Sequence, residues 1–61
     1  MKIQYIHISD PENAKIYDTE LSLKRNPFIQ KSQKEWDKHE LARMEKNKQE
    51  KLILDYKVLE T

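Results

Sequence analysis

The stretch from Asn26 to Glu50, NPFIQKSQKEWDKHELARMEKNKQE, decides how the chain folds. Asn is a strong helix N-cap, and Pro is favoured at the first helical position, where its missing N–H costs no hydrogen bond. From Pro27 to about Glu50 there is no second proline, no β-branched residue beyond Ile29, and a high density of Lys, Glu, Gln, Ala, Leu and Met. The stretch predicts one long helix of roughly 20–24 residues that begins at Asn26-Pro27. Ile29, Trp36, Leu41, Met44 and Leu52 share an arc of roughly 160° with Gln33, Glu40 and Lys48, so the apolar stripe is sparse. Asn47 is placed to take the left-handed position that ends such a helix.

Upstream, residues 2–9, KIQYIHIS, are rich in β-branched and aromatic types and too short for a stable helix. They predict a strand. Asp10-Pro11-Glu12-Asn13 then offers Asp and Pro at the first two positions of a turn and Asn as a left-handed residue closing a hairpin loop. Lys15 to Thr19 would return as a second strand. The competing reading makes Ser9 an N-cap and Glu12 its capping-box partner, opening a helix with Ala14, Tyr17 and Leu21 on one face. The alternation of Tyr17, Thr19, Leu21 and Leu23 favours the strand.

Downstream, Leu52, Leu54, Tyr56 and Val58 alternate with Ile53, Asp55 and Lys57 as a last strand. The order is ββαβ, an α+β fold in one domain over residues 1–61, with βααβ as the alternative. A helix of about 30–36 Å would overhang strands of about 23 Å. Its highly charged end then needs solvent or another chain against it.

Composition narrows the function. The 61 residues contain no glycine, which removes phosphate loops and dinucleotide fingerprints, and no cysteine, which removes disulfides and thiolate chemistry. A reducing, cytoplasmic setting is expected. The longest strictly aliphatic run is Leu52-Ile53-Leu54, so neither a signal peptide nor a membrane span is expected. Ile, Leu, Val and Phe make up about 23% of the chain, slightly above the level at which disorder is favoured, so any core is thin.

Charge is uneven. Residues 24–51 hold nine Lys or Arg against five acids, although the chain as a whole is only +1. Lys31, Lys34 and Lys38 recur at helical spacing close to Lys24 and Arg25, a basic patch. Lysines at a helix N-terminus oppose its dipole, so phosphate contact is one explanation for them and a solvated face the plainer one.

For catalysis and metal binding the inventory is poor. His7 and His39 stand apart, Glu35, His39 and Arg43 have ordinary helical pair spacing, and Ser9, Ser22 and Ser32 lack a neighbouring base in sequence. No HExxH pattern occurs. No catalytic residue, metal site or cofactor is assigned, and the chain is not expected to be an enzyme.

The favoured expectation is a small interaction or assembly protein that binds a larger protein partner, or itself, through the central helix. Its contact residues would be Phe28, Ile29, Trp36, Leu41 and Met44, since aromatic and Met side chains dominate contact hot spots. The same residues also fit a plain core-facing side. Compact genomes such as those of phages encode many such short chains, an association that no motif in this sequence carries. The second expectation is a nucleic-acid-binding accessory protein using Lys24, Arg25, Lys31, Lys34 and Lys38.

Overall fold

A computed structural model describes residues 1–60. The strands are β1, Lys2–His7, β2, Lys15–Asp18, and β3, Ile53–Glu60; the helices are α1, Thr19–Arg25, and α2, Gln33–Gln49. The fold is α+β, with strands at both ends of the chain. Both elements weighed for residues 14–23 occur, one after the other: β2 ends at Asp18 and α1 begins at the next residue. The order is thus ββααβ.

The turn chemistry explains the hairpin. The Asn13 N–H donates to the Asp10 carbonyl at 3.3 Å, and the Asn13 side-chain amide donates to Asp10 Oδ1 at 3.1 Å. This is an Asp-Pro turn closed from both ends. Asn13 does not take a left-handed conformation, contrary to expectation; among the described residues that are not glycine only Lys51 does, at φ 63°.

At the junction of β2 and α1, the Asp18 carboxylate accepts from the N–H groups of Glu20 and Leu21 at 3.0 and 3.3 Å. It switches the chain from strand to helix by capping the first turn. Lys24 and Arg25 lie in the last turn of α1, where their charge favours the helix dipole.

The start of α2 corrects the reading of Asn26-Pro27. Asn26 is the C-cap of α1: its N–H donates to the Leu23 carbonyl at 3.2 Å and its side-chain amide to the Ser22 carbonyl at 2.7 Å. Pro27 then stops α1, and a turn follows in which the Ile29 N–H donates to the Asn26 carbonyl at 3.0 Å. The true N-cap of α2 is Ser32, whose Oγ accepts from the Glu35 N–H at 3.2 Å. Lys31 therefore lies outside the helix, so only Lys34 and Lys38 of that trio share its face. With 17 residues, α2 is about 26 Å long and matches the eight-residue β3, so the expected overhang is absent.

At the other end, the Leu52 N–H reaches the Asn47 carbonyl at 2.9 Å and the Lys51 N–H reaches the Lys48 carbonyl at 3.1 Å. This is a Schellman ending with Lys51, not Asn47, in the left-handed position. A side chain with a Cβ pays about 1 kcal/mol there. Lys51→Gly is expected to raise folding stability by up to about that amount, and Lys51→Val to lower it, in chemical denaturation.

The sheet has the order β2-β1-β3, antiparallel throughout. Ile3 lies opposite Tyr17 on one side and Val58 on the other, and Tyr5 opposite Tyr56. Irregularities between Lys2 and Ile3 and between Ile6 and His7 leave one extra β3 residue at each place. The second shifts the facing of β3: Ile53, opposite His7, is buried, whereas Leu52 and Leu54 are exposed. The core consists of Met1, Ile3, Met44 and Ile53, with Tyr5, Tyr17, Leu41 and Tyr56 packed around it.

Candidate functional site

The β2 edge of the sheet and α1 frame an open cleft of about 430 Å³, lined by Ile16, Tyr17, Asp18, Leu21, Ser22, Arg25 and Asn26. Two apolar side chains stand on its rim, Ile16 at 54% and Leu21 at 46% exposure. The Tyr17 hydroxyl at its floor leads into a buried polar network. A smaller hollow on the open face of the sheet, lined by Gln4, Ile6, Ala14, Asp55, Tyr56 and Lys57, has no comparable floor.

Glu40 is the centre of that network. Its side chain projects from α2 into the interior and is only 1% exposed. Tyr17 donates its one hydroxyl proton to Glu40 Oε1, so Ser22 Oγ, 2.8 Å away, donates to the phenol oxygen in turn. Arg43 Nε lies 3.1 Å from Glu40 Oε2 and His39 Nδ1 lies 3.6 Å from it, yet neither makes an aligned hydrogen bond, and Oε2 has no hydrogen-bond partner among the described residues. The Arg43 guanidinium stands 5.7 Å from the Tyr17 ring centre, and His39 stacks on Trp36 at 5.2 Å. Thus β2, α1 and α2 meet on one carboxylate.

A second polar junction sits beside it. The buried Thr19 hydroxyl lies within hydrogen-bond reach of the Met1 carbonyl, at 3.0 Å, and of Asp37 Oδ1, to which Gln33 also donates at 2.9 Å. The start of α1 is therefore fixed to Met1, just before β1, and to α2. Together the two junctions hold the cleft walls in place without a large apolar core.

Burial raises the Tyr17 pKa above its ordinary value near 10, and the hydrogen bond to the Glu40 carboxylate adds to the effect. The folded state thus keeps its proton more tightly than the unfolded chain, so stability falls as pH rises from about 10 through the raised value. Tyr56 shifts the same way, chiefly through its hydrogen bond to Glu45. The melting temperature should drop above pH 10, and Tyr17→Phe should flatten part of that drop.

The residues singled out from sequence fall into two groups. Met44 is buried, Leu41 packs on the core, and Trp36 and Ile29 are half-buried. Phe28, in the connection between the helices, is 77% exposed and stands two residues from the cleft residue Asn26. Lys24, Arg25, Lys31, Lys34 and Lys38 are all exposed, and none forms an ion pair among the described residues. With Lys24 and Arg25 at the C-terminal end of α1, the dipole argument for phosphate contact does not apply to them.

The one sequence signal for the burial of Glu40 is that it shares the helical arc of Leu41 and Met44. No three His, Asp or Glu side chains come together as a metal set among the described residues, and no described helix is long and apolar enough to cross a membrane. No family model matches the chain, and neither a curated protein nor a solved structure matches it.

Proposed function

We propose that the protein is a non-enzymatic interaction protein whose cleft between β2 and α1 receives an acidic surface of a protein partner. The observation that carries this reading is that exposed Ile16 and Leu21 line one cleft with Arg25, a cation without an ion-pair partner among the described residues. Phe28 is exposed two residues along the chain from the cleft residue Asn26, and Lys24, Lys31, Lys34 and Lys38 have no ion-pair partner among the described residues. Apolar anchors contribute contact area and the cations select the sign of the partner's charge. The apolar side of the central helix packs inward through Leu41 and Met44, which leaves Lys34 and Lys38 exposed on it.

The second reading, nucleic-acid binding, rests on Lys24, Arg25, Lys31, Lys34 and Lys38, which are exposed and have no ion-pair partner among the described residues. The apolar rim favours a protein, because phosphate contacts need no exposed Ile, Leu or Phe.

Affinity capture on the immobilised protein, with and without nuclease, tests the choice. A protein retained in stoichiometric amount at physiological salt, before and after nuclease, is the expected result. Retention lost on nuclease treatment, with direct binding to duplex or single strands that weakens steeply with salt, would replace this reading by the second.

A further inference from the structure

Among the described residues β3 pairs only with β1, so the sheet has a second free edge there, on the side away from the cleft. This edge is eight residues long, Ile53 to Glu60, and carries the exposed apolar residues Leu54, Val58 and Leu59. An exposed edge of this length and character is a template for pairing with another strand.

The sequence of β3 is complementary to itself when reversed. If two β3 strands run antiparallel with Tyr56 opposite Tyr56 of a second copy, Asp55 faces Lys57 of that copy and Lys57 faces its Asp55. The same register sets Leu54 opposite Val58. A slip by one residue in each strand destroys the match: it puts Asp55 opposite Asp55 in one direction and Lys57 opposite Lys57 in the other. Opposite charges across antiparallel strands stabilise the pair and like charges oppose it, so charge selects the register centred on Tyr56.

The present state of the edge fits the same centre. The Tyr56 N–H donates to Asp55 Oδ1 at 2.9 Å, and Lys48 approaches the same oxygen at 3.3 Å. A donor at the middle of the edge is thus covered by a side chain of its own strand. On pairing, the Tyr56 N–H exchanges that carboxylate for a main-chain carbonyl, and Asp55 exchanges it for the ammonium of Lys57 of the second copy. The irregular positions at Leu54 and Leu59 confine the regular ladder to the segment between them, so pairing is short and the dimer is concentration-dependent.

We infer that β3 is a homodimerisation edge, joining two copies antiparallel about Tyr56 into one continuous six-stranded sheet. The two clefts then lie at the outer ends of that sheet and both stay open, which would let a dimer engage a repeated partner surface with two sites at once. The dimer does not depend on the proposed use of the cleft.

Light scattering over a concentration series tests this edge. The wild-type chain should pass from monomer to dimer mass as concentration rises. Lys57→Asp should remain monomeric at every concentration, as should Asp55→Lys, while the exchanged pair Asp55→Lys with Lys57→Asp should restore the dimer. Melting of each variant under dilute conditions separates loss of pairing from loss of folding. Ile16→Asp with Leu21→Asp should leave the mass unchanged. A wild-type chain that stays monomeric, single variants that still dimerise, an exchanged pair that stays monomeric, or a dimer lost with the cleft residues would each overturn the assignment.

Discussion

Ile3→Ala is expected to remove about 2–5 kcal/mol of folding stability, because Ile3 is fully buried and leaves a cavity that a small core cannot collapse to fill. A domain of this length has about 3–9 kcal/mol in all, so the variant should be largely unfolded at 37 °C or close to it. Ile3 is the fully buried residue of the central strand, and it pairs with both neighbouring strands, through Tyr17 and Val58. Its loss therefore loosens both edges together. Met44→Leu, which conserves volume, should cost less than about 1.5 kcal/mol in the same urea titration. Equal losses from the two substitutions would show that packing around Ile3 is not what limits the fold.

Glu40→Ala should come next in effect, at about 2–4 kcal/mol, although the residue removed is a surface type by composition. The substitution leaves the Tyr17 hydroxyl without its acceptor and opens space between α2 and the sheet. Tyr17→Phe removes the donor and keeps the ring, and should cost about 1–3 kcal/mol. The two share one hydrogen bond, so the double variant should cost less than the sum, by about 1 kcal/mol or more. Arg43→Gln should matter less than either, because the Arg43 side chain is 53% exposed and its ion pair is screened by water. Additive losses for Tyr17→Phe and Glu40→Ala would mean that the carboxylate is not the joint between strand and helix.

Much of the architecture was legible in local chemistry. The strand character of KIQYIHIS, the Asp10-Pro11 turn, the helical density of residues 33–49 and the closing strand each rest on propensities that the tertiary structure does not oppose. The errors came where one signal admits two uses. Asn-Pro marks the beginning of a helix or the end of one, and the geometry at Asn26 is an ending. The competing signal stood six residues on, in Ser32-Gln33-Lys34-Glu35, a capping-box spacing whose Ser side chain does cap α2. The facing of β3 was illegible because an irregular position shifts the alternation without altering the residues that alternate.

The cleft was less legible than the fold. Its rim residues, Ile16 and Leu21, read as ordinary members of either a strand or a helix, and nothing local marks them as exposed. Its floor depends on a Tyr and a Glu separated by 23 positions, a pairing that only the packing of α2 against β2 creates. Phe28, by contrast, was singled out from sequence as a contact residue, and it is the most exposed of the large apolar side chains.

Parallel affinity capture with the wild-type chain and with the Ile16→Asp, Leu21→Asp variant tests the interaction surface most directly. Both positions are exposed, so the variant should keep the melting temperature of the wild type within a few degrees. The expected result is a protein partner retained by the wild-type chain in stoichiometric amount and absent from the variant, with retention weakening as salt screens the exposed cations. The same partner retained in equal amount by both chains would contradict the assignment of the cleft.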